Sequence, residues 1–308
     1  MIFNLFSPDG KERVSTSWDK TARLWSVASG QELKALTGHT HIVDRAYFSQ
    51  DGSTIVTVAE DFTARVWSFV EGRERAVLRG HKDLLTYATI SADGRRVATA
   101  SVDNTARLWD AETGALLHTL SGHGEDVLHV GFTPDGSRLV STSRDNTAML
   151  WDVASGRQIA VLKGHTNQVR HAAFSPNGQV LATAAYDGTA RLWSGRTGEP
   201  LATLRGHKGA VGHVAFSPNG RRVITSSADS TAMIWDAGSG AHVVSLLGHT
   251  DGVYHASFSP NNDYVLTTSE DRTVRLWDGR GSGLTLAVYK GHPGPNYHAA
   301  FSPDSKLL

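Results

Sequence analysis

The sequence predicts an all-β fold made of seven copies of one four-stranded antiparallel unit, followed by part of an eighth copy. Tryptophan recurs at a constant step of 42 residues, at positions 25, 67, 109, 151, 193, 235 and 277. An aspartate keeps the same step from position 19 to position 271. Within each copy, apolar residues alternate or come in short runs separated by Gly, Pro, Asn or Asp. That spacing is typical of short strands and leaves no room for a long helix.

The fourth copy shows the pattern most clearly. Its four strands, here named a to d in chain order, are expected at about 127–132, 138–143, 147–151 and 158–162. Pro134-Asp135-Gly136 has the chemistry of a tight turn between strands a and b. Asp145-Asn146 has the chemistry of a hairpin turn between strands b and c.

A Gly-His pair opens each copy from the second onward. Every one of the seven copies then carries Asp-x-Thr-x-Arg-Leu-Trp-Asp or a close variant of it. These motifs resemble the WD-repeat family of β-propellers, in the near-uniform form known from bacteria. The resemblance implies an all-β, seven-bladed β-propeller of four-stranded antiparallel blades, forming one domain over residues 1–308. The expected blades are 1–37, 38–79, 80–121, 122–163, 164–205, 206–247 and 248–290, with a partial repeat at 291–308.

The two ends of the chain repeat one another. Residues 296–308 correspond to residues 1–13, so the partial eighth repeat (290–308) overlaps the first blade. We expect strand a of the first blade at residues 1–6 and a competing strand at 296–301. Closure into a ring is expected, because an open array would leave sheet edges exposed.

A Ser or Thr stands four residues before each repeated aspartate. The resemblance implies that this hydroxyl links the histidine of the Gly-His loop to the tryptophan indole, while the aspartate accepts from the other imidazole nitrogen. The donors and acceptors of the four groups match in this order. The predicted sets are His39-Thr57-Asp61-Trp67, His81-Thr99-Asp103-Trp109, His123-Ser141-Asp145-Trp151, His165-Thr183-Asp187-Trp193, His207-Thr225-Asp229-Trp235, His249-Thr267-Asp271-Trp277 and, closing the first blade, His292 with Ser15, Asp19 and Trp25.

Ser, His and Asp together could also form a nucleophilic catalytic triad. A catalytic site, however, needs a single exposed nucleophile with an oxyanion hole in a cleft, whereas these sets recur in every blade and end on an indole. We therefore expect a structural role, no enzymatic activity and no cofactor.

A second group of histidines lies three residues before the last Phe of strand a: His129, His171, His213, His255 and His298, with Arg45 and Tyr87 at the matching positions of two other blades. Strand a is expected to be innermost, so these imidazoles could hold a metal or anion in an axial channel. The favoured interpretation is that they form hydrogen bonds between blades, because no carboxylate accompanies them as an outer shell of a metal site would require.

Composition restricts the kind of partner. The 30 basic and 30 acidic residues cancel, and neither sign forms a block, so we expect no binding to nucleic acid or to a membrane. The chain has no cysteine, which fits a reducing compartment, and the apolar start at residues 1–6 is too short for a signal peptide. These features favour a cytoplasmic protein.

Two positions differ strongly between otherwise similar copies: the residue before the repeated aspartate and the second residue of strand a. The resemblance places both on the top face of a propeller, where a protein or peptide docks. Aromatic and Arg residues are common interface hot spots. The predicted partner-binding residues are Trp18, Glu60, Arg144, Arg170, Tyr186 and Tyr254.

The function expected from this pattern is a non-enzymatic scaffold or sensor platform for protein–protein interaction, within a larger multidomain signalling protein. Two alternatives remain open. One is a small ligand or metal in the axial channel, and the other is a recently amplified or engineered repeat that has no evolved partner.

Overall fold

The computed structural model describes residues 3–291, 294–302 and 304–305. These residues form 28 β-strands and no helix, which confirms the all-β prediction. The strands make seven four-stranded sheets, each ordered as its strands follow in the chain. Among the described residues there is therefore no helical segment that could cross a membrane.

The chain divides into two compact units, one of Met1–Ser143 with Leu150–Gln158 and the other of Arg144–Met149 with Ile159–Leu308. The expectation of a single closed domain stays a prediction. The first unit contains three whole sheets. Their strands are β1 (Asn4–Phe6), β2 (Glu12–Thr16), β3 (Ala22–Ser26) and β4 (Glu32–Leu36); β5 (Val43–Phe48), β6 (Thr54–Ala59), β7 (Ala64–Ser68) and β8 (Glu74–Leu78); β9 (Leu85–Ile90), β10 (Arg96–Ser101), β11 (Thr105–Asp110) and β12 (Leu116–Ser121).

The fourth sheet matches its predicted strands closely. It consists of β13 (Val127–Phe132), β14 (Arg138–Ser143), β15 (Ala148–Asp152) and β16 (Gln158–Leu162). Strands a, b and d have the expected bounds, and strand c begins and ends one residue later than expected. The turn Pro134-Asp135-Gly136 is stabilised by the Asp135 carboxylate, which accepts from Thr133 Oγ1 at 2.6 Å and from the Ser137 backbone N–H at 2.9 Å.

The second unit contains the remaining three sheets. Their strands are β17 (Val169–Phe174), β18 (Val180–Ala185), β19 (Ala190–Ser194) and β20 (Pro200–Leu204); β21 (Val211–Phe216), β22 (Arg222–Ser227), β23 (Ala232–Asp236) and β24 (His242–Leu246); β25 (Val253–Phe258), β26 (Tyr264–Ser269), β27 (Val274–Asp278) and β28 (Thr285–Tyr289).

Two β-bulges recur in these sheets. In the second sheet, Val43 is paired with Ala59 and Arg45 with Val58, so Asp44 is the extra residue in strand a. Likewise, Trp67 is paired with Glu74 and Val66 with Ala76, so Arg75 is the extra residue in strand d. A bulge re-aims the side chain of the residue that it inserts. The sequence did not reveal either bulge.

Apolar cores lie between successive sheets within each unit. In the first unit, Trp67 of the second sheet shares a buried cluster with Leu24 and Leu36 of the first sheet. In the second unit, Trp277 shares a cluster with Ile234 and Leu246 in the same way. Each buried Leu or Ile contributes about 1.5–3 kcal/mol. In both clusters the repeated tryptophan thus packs against buried residues of the sheet before it.

The turn between strands b and c lies at one end of each sheet, together with the loop that enters strand a. The Glu60 N–H, for example, donates to the Ile42 carbonyl at 3.0 Å. We call this the histidine end, because the Gly-His loops lie there. The turns from a to b and from c to d lie at the other end, since antiparallel strands alternate in direction.

The segment 296–301 does not form the predicted strand. It lies beside β25 through ring contacts, with Tyr254 and Tyr297 centroids 5.0 Å apart, instead of through a backbone ladder. The Asn296 N–H donates to the Ser269 carbonyl at 3.1 Å, as Val43 donates to Ser17 at 3.2 Å in the first unit. The segment is therefore attached as strand a of a next repeat would be, but lacks strand pairing. Residues 1 and 2 of the predicted first strand lie outside the described residues.

Candidate functional site

The third sheet shows the predicted four-residue set in full. Nδ1 of His81 lies 2.8 Å from Oδ2 of Asp103, and Nε2 of His81 lies 2.7 Å from Oγ1 of Thr99. The indole Nε1–H of Trp109 donates to the same Oγ1 at 2.9 Å. A strand b hydroxyl, a strand c indole, a turn carboxylate and a loop imidazole are thereby joined in one chain of hydrogen bonds.

The same geometry recurs in four other sheets. The distance from His Nδ1 to the Asp oxygen is 2.8–3.0 Å, and that from His Nε2 to the hydroxyl is 2.7–2.9 Å. The Trp N–H donates to the hydroxyl at 2.8–2.9 Å. These sets are His39-Thr57-Asp61-Trp67, His165-Thr183-Asp187-Trp193, His207-Thr225-Asp229-Trp235 and His249-Thr267-Asp271-Trp277.

The fourth set is described in part. Oγ of Ser141 lies 2.8 Å from Nε2 of His123 and accepts from the Trp151 indole at 2.8 Å. Asp145 accepts from the Thr147 backbone N–H at 2.9 Å. The contact between His123 and Asp145 stays a prediction.

The first set differs from the others. The Trp25 indole donates to Ser15 Oγ at 2.7 Å, as expected. Oδ2 of Asp19 pairs with Nη2 of Arg23 at 2.9 Å. In the five sets that are described in full, the corresponding Oδ2 atom accepts from the imidazole. His292, which was predicted to complete this set, lies outside the described residues.

The direction of each hydrogen bond follows from the donors available. An ionised carboxylate only accepts, so Nδ1 of each imidazole carries the proton and Nε2 accepts from the hydroxyl. The hydroxyl can therefore accept from the indole. Burial lowers the pKa of His81, His165, His207 and His249 despite the neighbouring carboxylates, so these imidazoles are neutral at pH 7.

The aspartates stay ionised in spite of their burial. Burial by itself would raise the pKa of Asp103, but bonds from Thr105, the Lys82 backbone and His81 lower it to about 2. In five sheets the backbone N–H of the residue after the histidine is a further donor, which the sequence pattern did not indicate. Lys82 N–H donates to Asp103 Oδ2 at 3.0 Å, for example. In these sheets the turn carboxylate thus holds both the side chain and the backbone of the incoming loop.

The six predicted partner-binding residues lie at the histidine end, in both units. Those before a turn aspartate are exposed: Trp18 at 74%, Tyr186 at 38%, and also Glu60 and Arg144. Arg170 and Tyr254 are half-buried. Both occupy the bulge of strand a, which explains why this position tolerates such different residues. Binding by these residues stays a prediction.

The second histidine group forms a stack in the second unit. Ring centroids are 4.3 Å apart for His171 and His213, 4.4 Å for His213 and His255, and 4.4 Å for His255 and His298. We call these four residues the imidazole stack. In the first unit, Tyr87 packs against His129 at 4.2 Å, and the Arg45 guanidinium lies over Tyr87.

The expected hydrogen bonds between blades are not made by His213 or His255. Their Nδ1 atoms are buried and have no partner within the described residues. Burial lowers the pKa of both imidazoles well below its usual value, and the neighbouring histidines add to this effect. Their rings instead pack against each other in a tilted arrangement, with an interplanar angle of 49°. Within the described ranges, no group of three or more His, Cys, Asp or Glu residues could hold a metal ion.

The comparison with known families agrees with this geometry. The family model described as WD domain, G-beta repeat, matches seven times, at residues 2–26, 30–68, 72–110, 114–152, 156–194, 198–236 and 240–278. A typical matched segment joins strand d of one sheet to strands a, b and c of the next. Curated proteins gave no significant match to the chain.

Proposed function

Since the chain belongs to the WD40 repeat family, whose members generally mediate protein–protein interaction, we propose that it is a non-enzymatic interaction scaffold. In this proposal the histidine ends of its sheets bind a protein or peptide. The hydrogen-bonded sets hold the framework, and the exposed turn residues make the contacts. We also propose a cytoplasmic location, which the absence of cysteine supports.

The exposure of Trp18 is the main observation in favour of a docking surface. A tryptophan that is 74% exposed is unusual for a soluble protein unless it contacts a partner. The carbonyl of Ser17, the residue before Trp18, accepts from the Val43 N–H at 3.2 Å, and the Glu60 N–H donates to the Ile42 carbonyl at 3.0 Å. Trp18 and Glu60 therefore lie on either side of the segment 42–43, which is hydrogen-bonded to the b to c turns of both the first and the second sheet.

The second unit offers a comparable pair of aromatic side chains. Tyr254 and Tyr297 are in ring contact, and Tyr297 is 64% exposed. Burial, with a hydrogen bond to Glu270, raises the pKa of Tyr254 to about 12, so its phenol is neutral at physiological pH. Rigid rings of this kind lose little side-chain entropy on binding, which favours affinity.

The Ser-His-Asp order in each set has the connectivity of a catalytic triad, yet burial argues against catalysis. The hydroxyls of Thr57, Thr99 and Ser141 are fully buried, at 0% exposure. Each also accepts from an indole N–H, so its oxygen is engaged in a second buried hydrogen bond. A nucleophile must reach its substrate, so this arrangement supports a structural role.

The proposal can be tested by affinity capture from lysate of the source organism. The change is the combined variant Trp18→Ala, Arg144→Ala and Tyr186→Ala, compared with the wild type by quantitative mass spectrometry. We expect the proteins captured by the wild type to be lost. Leu201→Ala is the matched control, because Leu201 is 57% exposed on an outer strand. Equal capture by wild type and triple variant would contradict the proposed surface, and capture of nothing above background would favour a repeat without a partner.

A further inference from the structure

A polar cleft of about 370 Å³ lies in the first unit, away from the histidine end. It is lined by the a to b turns of the second and third sheets with the start of β6, by strand β8, and by the end of β11 with the turn that follows it. These are Ser53, Thr54, Arg75, Asp93, Gly94, Arg95, Asp110 and Glu112. The volume is within the range of small-molecule sites.

Arg75 departs from the rule that the other copies follow at its position. It is the inserted residue of the bulge in β8. The corresponding residue is apolar and at least 39% exposed in all six other sheets: Leu33, Leu117, Ile159, Leu201, Val243 and Leu286. The side chain of Arg75 is only 25% exposed. A long cation has therefore replaced an apolar residue at one outer strand and lies within the cleft.

Most of the hydrogen-bonding capacity of Arg75 is unused. Its Nη1 donates to Thr54 Oγ1 at 3.1 Å. The nearest carboxylate oxygen, Oε2 of Glu112, lies 3.8 Å away, which is too far for a direct hydrogen bond. No other bond from this guanidinium is formed within residues 3–291. Guanidinium is always charged and has five N–H donors, so this one can still bind an anionic group.

The acidic side of the cleft also has free acceptors. Asp110 Oδ1 accepts from the Glu112 N–H, the Thr113 N–H and the Thr113 hydroxyl at 3.1, 2.8 and 2.7 Å. Asp93 Oδ1 accepts from Ser91 and from the Arg95 N–H. In the described part of the chain, the second oxygen of each carboxylate makes no hydrogen bond. The hydrogen bonds accepted by the Oδ1 atoms lower the pKa of Asp93 and Asp110, so both carboxylates are ionised at neutral pH.

Glu112 is a second departure from the repeat. The other copies have Ala28, Val70, Ala154, Arg196, Gly238 and Arg280 at this position, and none of these is acidic. Its side chain is 75% exposed at the rim of the cleft. Both unusual charges, Arg75 and Glu112, are thus found at one place in the molecule, with opposite signs.

We propose that this cleft binds a small zwitterion of amino-acid size. The carboxylate of the ligand pairs with the guanidinium groups of Arg75 and Arg95, and its ammonium group pairs with the free oxygens of Asp93 and Asp110. Glu112 closes the rim. The two signs of charge favour a ligand that carries both over a simple anion or cation. The cleft is separate from the proposed partner surface, so each can fail independently of the other.

The test is isothermal titration calorimetry of the whole chain with glycine, L-serine and L-lysine, and with acetate and methylammonium as single-charge probes. We expect saturable binding of at least one amino acid, weakened roughly tenfold or more by Arg75→Leu. Both Arg75→Leu and Glu112→Ala introduce residues that other copies carry, so both variants should fold. Arg73→Leu is the control that removes the same charge, because Arg73 lies just before β8 but does not line the cleft.

Three results would overturn the proposal. One is the absence of saturable binding by any of the amino acids up to roughly 10 mM, which corresponds to a negligible affinity. A second is acetate binding as strongly as the amino acids, which would indicate a simple anion site. The third is equal binding by wild type and Arg75→Leu. Retention of binding in Arg73→Leu, together with its loss in Arg75→Leu, would support the assignment.

Discussion

The indole N–H of Trp109 donates to Oγ1 of Thr99 at 2.9 Å, in the interior of the third sheet. The same hydroxyl is bonded to the His81 imidazole at 2.7 Å. One buried oxygen thus connects strand c to the loop that enters the sheet. Loss of this oxygen leaves two polar groups unsatisfied at once, which makes it the most sensitive atom of the set.

Thr99→Val should lower the free energy of unfolding by about 2–6 kcal/mol, because it leaves a buried indole N–H and a buried imidazole nitrogen unsatisfied at about 1–3 kcal/mol each. Urea unfolding monitored by tryptophan fluorescence measures the change. Thr99→Ser is the control, since Ser141 plays the same part in the fourth sheet. A valine variant as stable as the serine variant would show that these bonds do not contribute to stability.

Phe62→Gly should stabilise the protein by about 0.5 kcal/mol or more. Phe62 follows the turn Asp61 with φ of 63°, in the left-handed region, where a residue with a Cβ costs roughly 1–2 kcal/mol. The greater chain entropy of glycine in the unfolded state offsets part of this gain. The residue is 41% exposed, so some packing of its ring is lost as well and the net gain is small.

Thermal unfolding of Phe62→Gly by circular dichroism should show a higher midpoint than the wild type. Gly188→Ala is the reciprocal control, because Gly188 occupies the equivalent turn position with φ of 81°. That variant should unfold at a lower temperature. An unchanged or lower midpoint for Phe62→Gly would mean that the phenylalanine makes favourable contacts that outweigh its backbone strain.

Stability should decrease as pH falls below about 6.5. The pKa of the buried His81, His165, His207 and His249 is lowered in the folded state, so the unfolded chain takes up protons first. Unfolding free energies measured from pH 8 to pH 5 at constant ionic strength check this. A flat profile over this range would contradict the neutral state assigned to these imidazoles.

A second loss should follow at lower pH. The pKa of Asp103 is about 2 in the folded protein against 3.8 for the free side chain. Its contribution, about 2 kcal/mol by that difference, is fully present above pH 3.8 and is lost as pH falls towards 2. Asp103→Asn should reduce the loss of unfolding free energy between pH 4.5 and pH 2.5 by this amount, while the other turn aspartates still lose their own contributions. An unchanged loss in the variant would show that Asp103 does not contribute to it.

His255→Phe should shift the midpoint of acid unfolding to a lower pH, which means greater stability in acid, without loss of stability at pH 8. The variant keeps a stacked ring and removes a buried Nδ1 that has no partner among the described residues. The titratable groups that face His255 are His213 and His298, and both add to the lowering of its pKa. His41→Phe, at an exposed position, is the control and should leave the midpoint unchanged. A destabilised variant at pH 8 would show that the imidazole nitrogen is needed in the stack.

Much of the framework could be predicted because it depends on short-range spacing. Strand b of the fourth sheet runs from Arg138 to Ser143 as expected, since alternation of apolar residues and the Pro-Asp-Gly turn determine it locally. The structure also brings together sets such as His165, Thr183, Asp187 and Trp193. The family resemblance implied their order, and the complementary donors and acceptors of the four groups agree with it.

Predictions that depended on neighbours across sheets were less successful. The strand expected at 296–301 is absent, because a strand needs a backbone ladder and this segment contacts β25 by its rings. His213 and His255 stack rather than form hydrogen bonds, because their neighbours at that depth are other imidazoles. Neither result follows from the spacing of one residue type along the chain.

The sequence by itself determined the repeat and most of the strand positions, because these depend on residues within one copy. Only the tertiary structure decided which variable side chains are exposed and which charges meet. Trp18 is 74% exposed, whereas Leu128, at another variable position, is 6% exposed. Arg75 and Glu112 come from different sheets and meet at one cleft. Exposure and charge pairing depend on what the neighbouring sheet brings close, and a one-dimensional pattern does not contain that information.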